Sequence, residues 1–215
     1  MKVINIHSDG GVLPVGRGDW SAGAAIVIPG GRERRFKIAT LLPSGSSAQA
    51  ELAAALLGFA VLHAQYPVDG QIAEPLSEIR YRWSFDFASL QVHATRREDR
   101  FCSGSLTEAY SFILRELAVP VPLEFLHVQS HSGVRLNEAC DRACRWVLHD
   151  GEKLLRRYGA GMVGRNAVLA PEDAWLLCDL RPIFQQVSTL DTEQALRSWW
   201  VDFVAFLREF TSACC

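Results

Sequence analysis

The 215-residue chain lacks the cysteine spacing of a zinc site: none of its six cysteines forms a CxxC pair with a second pair at zinc-site spacing. Cys140 and Cys144 stand four apart on an expected helix, but no neighbouring His or Cys completes a ligand set, and Cys102, Cys178, Cys214 and Cys215 do not supply one. Disulfides persist in oxidising compartments, so these residues are read as reduced thiols of a cytoplasmic protein. No window reaches the roughly 18 uninterrupted apolar residues of a membrane span, so no membrane partner is expected. The strand-like run in the opening MKVINIHSDGG is too short and too polar for the apolar stretch of a signal peptide. A surplus of positive charge is also missing. Lys and Arg total 22 against 24 Asp and Glu, which gives a net charge of −2 and no global basic field. Internal repeats and low-complexity segments are absent too, which excludes solenoid and disordered architectures.

What is present suits a chain that buries a core: 49% of residues are hydrophobic and 21% charged. Basic residues cluster locally at Arg32, Arg34, Arg35 and Lys37, at Arg96, Arg97 and Arg100, and at Arg156 and Arg157. Each cluster on its own reads first as a solvated face.

Residues 2–7 alternate apolar and polar, the period of a strand, and Ser8-Asp9-Gly10-Gly11 reads as the turn that ends it. Residues 20–29 and 32–40 read as a hairpin of two further strands. Ser46 or Ser47 can cap a helix over 48–66, in whose first turns Glu51 falls. Residues 78–85 have strand character and deliver Asp86 at their end. A helix over 106–117 is closed by Pro120 and Pro122, a strand spans 123–128, and a long helix spans 137–155. The order β-β-β-α-β-α-β-α over residues 1–155 predicts an α/β fold, a mixed five-stranded sheet with helices on its faces. Two more helices are expected over 172–186 and 192–211. The second has a wide apolar face of Leu196, Trp199, Trp200, Phe203, Val204, Leu207 and Phe210. Packing on the first domain is its first use, and a surface for a protein partner or self-association through 172–211 is the alternative.

Four acids fall where this architecture converges: Asp9, Glu51, Asp86, and Asp141 near the start of the long helix. A lone acid at a strand end is usually a cap or turn residue. Several carboxylates held together repel one another unless they share protons or bind cations, and hard oxygen ligands suit Mg2+. Two such ions can activate water and stabilise the leaving oxygen in phosphodiester cleavage. Cations would also supply charge that the protein itself lacks.

The segment 4–11 (INIHSDGG) resembles the opening strand of the ribonuclease H family, 46–52 (SSAQAEL) looks like the entry to its first helix, and 83–90 (WSFDFASL) is similar to its fourth strand. The strongest match is 127–144, HVQSHSGVRLNEACDRAC, in which His131, Gly133, Asn137 and Asp141 keep the order and spacing of that family's histidine loop and final helix. The resemblance covers roughly residues 1–150.

It implies a ribonuclease H-like catalytic domain over 1–155 and a helical extension over 160–215 that has no parallel in the family. The implied activity is endonucleolytic cleavage of the RNA strand of RNA–DNA hybrids with two Mg2+ ions, Mn2+ being a substitute. Asp9 would bridge the metals, with Glu51 and Asp86 on one and Asp141 on the other. His131 would move protons or release the cleaved phosphate. Gly10, Gly11, Ser47 and Asn137 would contact substrate. Two alternatives stay open: a nuclease of the same fold acting on DNA or other RNA, and a partner-binding module using the C-terminal helices. Residues 68–77 look like an insertion relative to the family. A basic, Trp-rich hybrid-binding helix is not evident between Asp86 and Asp141, where only Arg96, Arg97 and Arg100 stand.

Overall fold

The computed structural model describes residues 2–13, 19–28, 35–66, 79–95, 105–119, 122–129, 132–158 and 175–213. The insertion expected at 68–77, the basic cluster at Arg96, Arg97 and Arg100, and Cys102, Cys214 and Cys215 lie outside these residues.

Strand β1 (Lys2–Val12) pairs antiparallel with β2 (Trp20–Ile28), which pairs antiparallel with β3 (Phe36–Pro43). On the other side of β1 lie β4 (Ile79–Phe85) and then β5 (Leu123–His127), both parallel. Strand β2 is a nearly continuous apolar run because both faces of the sheet are covered. Its side chains alternate between two cores: Ala25 and Val27 join one, Ala24 and Ile26 the other.

The first core is built around helix α1 (Ser47–Gln65), followed by α2 (Ser89–Thr95) and α3 (Leu106–Ile113), which runs into a π-helical turn at Leu114–Ala118. Ser46 caps α1 through a reciprocal box with Gln49: Ser46 Oγ accepts from the Gln49 amide at 3.3 Å and Gln49 Oε1 accepts from the Ser46 amide at 2.9 Å. Helix α1 is long and apolar enough to cross a membrane, with a mean hydropathy of 1.3, yet 78% of that stretch is buried inside the protein. It is apolar all round because it is a core helix enclosed by sheet and helices. The opposite face of the sheet is covered by α4 (Arg135–Tyr158), whose Cys140, Ala143, Cys144, Val147 and Leu148 pack on β1–β3.

Two expectations are corrected. The sheet has six strands rather than five, in the order β5-β4-β1-β2-β3-β6, because Leu176–Asp179, read as part of a helix over 172–186, forms β6 parallel to β3. Thr40 fixes the joint: its hydroxyl donates to the Cys178 carbonyl at 3.0 Å and accepts from the Leu180 amide at 3.1 Å. Helical structure restarts only at α5 (Arg181–Val187), where Pro182 sits in the first turn, the one helical position that suits a residue without an N–H. The C-terminal stretch is therefore not a purely helical extension, since it contributes an edge strand to the sheet.

The second correction concerns β1, which does not end at Ser8–Gly11. Asp9, Gly10 and Gly11 remain in the ladder opposite Ala24, Gly23 and Ala22. The last helix, α6 (Glu193–Ala213), lays Leu196, Trp199, Trp200, Phe203, Leu207 and Phe210 into the first core against α1, the packing expected of that face.

Candidate active site

Strand pairing sets the first two carboxylates. The parallel ladder of β1 and β4 aligns His7 with Ser84, so two residues further on Asp9 and Asp86 stand level. Asp9 is held mid-strand, while Asp86 is the first residue past β4. Helix α1 brings Glu51 to them by pressing its backbone onto β1 at Gly10. A methyl group on Gly10 would stand 2.3 Å from the Ala50 carbonyl carbon and the Glu51 nitrogen. The Gly10 amide donates to Glu51 Oε2 at 3.0 Å, which orients that carboxylate. As a result, Asp9, Glu51 and Asp86 each offer an oxygen within 4.8 Å of the others.

Asp141 stands apart from this trio, though its charge reaches Asp9. Both of its oxygens are engaged by Arg145 one turn along α4: Nε donates to Oδ1 at 2.9 Å, and the second guanidinium nitrogen donates to Oδ2. Helix α4 is also tied to β1 directly, since the Cys144 thiol donates to the Asp9 carbonyl at 3.0 Å.

Asp9 and Glu51 are each only 6% exposed. Burial first, and then the charges of Asp86 and Asp141, push the Asp9 carboxyl up to about 7. Burial, followed by the charges of Asp9 and Asp86, raises Glu51 well above the usual carboxylate range. Both carboxyls are thus shifted toward the protonated form in the absence of a cation. Burial likewise raises the Cys140 and Cys144 thiols, so neither is a reactive thiolate.

An all-oxygen donor set whose Asp9 and Glu51 are buried fits a hard divalent cation. Asp9, Glu51 and Asp86 would hold it, and Asp141 extends the set on the α4 side.

The remaining expected residues divide. His131 lies outside the described residues. Gly133, beside it, has φ +84, a left-handed conformation that glycine adopts without strain, and its amide donates to Glu138 Oε1 at 2.9 Å. Ser47 is exposed in the first turn of α1. Gly10 and Gly11 are partly covered, and the Gly10 amide is committed to Glu51. Asn137 is 3% exposed, and its Oδ1 has no hydrogen-bond partner among the described residues. Sequence reasoning passed over His127. Its Nε2 donates to the Asp86 carbonyl at 3.0 Å, which fixes the turn that carries the third carboxylate. The contact follows from the pairing of Phe85 with His127, and no residue spacing signals it.

This architecture superimposes on a ribonuclease H1 recovered from compost by a metagenomic approach, with a TM-score of 0.50 at 15% identity over 71% of this chain and 99% of that one. The chain has the ribonuclease H-like fold. The ribonuclease H1 of Halobacterium salinarum is also similar, with a TM-score of 0.46 at 14% identity over 69% of this chain and 98% of that one. No family model and no curated protein matches the sequence. Within this ribonuclease H-like fold, Asp9, Glu51 and Asp86 come from β1, α1 and the end of β4, the elements on which the resemblance had put them.

Proposed function

We propose that the chain is a cation-dependent ribonuclease H that cleaves the RNA strand of RNA–DNA hybrids. The observation that carries this reading is the convergence of the Asp9, Glu51 and Asp86 oxygens within 4.8 Å, with Asp9 and Glu51 buried and Asp86 partly so, on a ribonuclease H-like sheet.

A bound divalent cation supplies Lewis-acid stabilisation of the phosphate and lowers the pKa of the attacking water. The chain's own residues supply the rest. Asp9, Glu51 and Asp86 would hold one Mg2+, and Asp9 with Asp141 a second. The Gly10 amide keeps Glu51 turned toward Asp9. Burial of Asp9 and Glu51 excludes water from all but the open side, where Asp86 is more accessible and Asp141 is 24% exposed. Ser47, at the exposed start of α1, can reach a 2′-hydroxyl of the RNA strand. His131 has a side chain suited to proton transfer near neutral pH.

The test is cleavage of a labelled RNA–DNA hybrid with Mg2+, beside double-stranded DNA and single-stranded RNA, by the natural chain and by Asp9→Asn. We expect the hybrid to be cut preferentially and the variant to lose at least 100-fold in rate, on the order of 3 kcal/mol of transition-state stabilisation. A hybrid left intact at every Mg2+ and Mn2+ concentration sinks the reading. Preferential cutting of DNA or single-stranded RNA transfers it to the sister substrate.

A further inference from the structure

The pairing of Arg145 with Asp141 leaves one of the four carboxylates neutralised by a protein cation before any metal arrives. The ion pair joins residues four apart on α4, and both Asp141 oxygens take part. The Arg145 side chain is 57% exposed and that of Asp141 24%, so the guanidinium sits on the solvent side of a carboxylate whose charge reaches buried Asp9. Exposed pairs at this spacing are weak, because water screens them and two long side chains lose freedom. A divalent cation competing for the same oxygens can therefore displace the guanidinium. Once displaced, it stays tethered one helical turn from Asp141, at the open rim of the cluster. Its planar fork of donors matches two phosphate oxygens as well as it matches a carboxylate.

From this geometry we infer that Arg145 is a phosphate-binding residue, held on Asp141 in the free protein and transferred to the substrate backbone when a cation takes Asp141. The inference rests on the nuclease reading of the carboxylate cluster and adds to it a residue that contacts the phosphodiester. It requires opposite effects on the two ligands: removing the guanidinium frees Asp141 for metal and deprives the nucleic acid of a contact. A pair that merely stabilised α4 would move melting temperature alone.

The experiment uses the full chain and its Arg145→Gln and Arg145→Lys variants. Mn2+ binding is followed by titration calorimetry. Hybrid binding is followed by fluorescence anisotropy at several salt concentrations, in Ca2+, a hard oxygen-seeking cation of looser geometry used to keep turnover out of the measurement. Arg145→Gln should bind Mn2+ up to about fivefold more tightly, the scale of one exposed ion pair. It should bind the hybrid several-fold more weakly, with the log–log salt slope reduced by about one. Arg145→Lys, which keeps the charge without the fork, should recover the salt slope but only part of the affinity. Unchanged hybrid affinity and slope in Arg145→Gln overturn the inference, and so does weaker Mn2+ binding in a variant whose melting temperature is unchanged. A natural chain that binds hybrid and metal but cuts nothing defeats the nuclease reading and leaves these binding outcomes interpretable. One that binds no hybrid defeats both.

Discussion

The Asp9 carboxyl is raised to about 7 because ionising it adds a negative charge, beside those of Asp86 and Asp141, in a space nearly closed to water. Its folded-state value lies above the unfolded one, so the folded form binds the extra proton between about pH 4 and 7. The stability this supplies is complete at the acid end of that window and is lost as pH rises through 7. Glu51 acts in the same direction. His7 opposes them: burial lowers it to about 4, so its contribution is present above 6.5 and lost as pH falls through 4. The wild-type profile is therefore a difference of opposed slopes, and a variant isolates one of them. Without divalent ions, Asp9→Asn should melt higher than the natural chain by about 5 °C near pH 8, with the gap closing toward pH 4. Scanning calorimetry in a chelator checks this; a gap independent of pH means that repulsion at Asp9 is not its cause. At this same scale the sequence named all four acids but not their arrangement. The segment holding His131 and Asp141 carries the most distinctive spacing in the sequence, and Asp86 carries little. In the structure Asp86 joins the tight trio and Asp141 is occupied by Arg145. Motif spacing registers which residues share a helix and a loop, whereas the level of Asp86 beside Asp9 comes from strand pairing across more than seventy residues of chain.

Among the elements, the contact between α1 and β1 decides the geometry of the site. Gly10 and Gly11 read as a turn in the sequence, because two adjacent glycines after an acid are the usual end of a strand. The structure gives each a different packing reason. Gly10 lies under the backbone of α1, where nothing can shift, while a methyl on Gly11 would meet the Leu148 Cδ1 at 3.1 Å, the end of a side chain that can move. Gly10→Ala should therefore cost about 1–3 kcal/mol as an overpacked contact, and it should lift α1 so that Glu51 leaves Asp9 and cation affinity falls. Gly11→Ala should cost under about 1 kcal/mol and leave cation binding intact. Denaturant melts and Mn2+ titrations of both variants check the contrast, and equal behaviour of the two removes the argument. Helices α1, α3, α4 and α6 and strands β2 to β5 were legible because their patterns are local, whereas the short helix α2 was not read. Strand β6 was not, since four residues carry no period and its identity comes from the open edge of β3 and from Thr40, far away in sequence.

For the molecule as a whole, the question is whether residues beyond 159 are separable from the sheet and its carboxylates. Helix α1 is apolar on every side, and its far side is covered by α6. From the C-terminal region, Phe184 and Phe203 are at most 1% exposed, and Trp199, Trp200 and Phe210 at most 8%. Phe184 meets Tyr110 of α3 edge-on at 5.7 Å, Trp200 meets His63 of α1 at 5.7 Å, and the Trp199 indole donates to the Ile183 carbonyl at 3.0 Å. Arg181 adds a polar clasp, bonding Asp179 of β6 and, at 2.9 Å, Glu152 of α4 on the other face of the sheet. Burying each large aromatic is worth roughly 1.5–3 kcal/mol, so five of them together match the entire stability of an ordinary domain. A chain ending at residue 159 would expose this surface of α1 and α3 and leave β3 as a bare edge, two routes to association. We expect it to be insoluble, or soluble only as a dye-binding, non-cooperative state, by far-UV circular dichroism and ANS fluorescence. A soluble, cooperatively melting 1–159 fragment that binds Mn2+ like the full chain would instead make the C-terminal region an independent module, with its apolar face free for a partner.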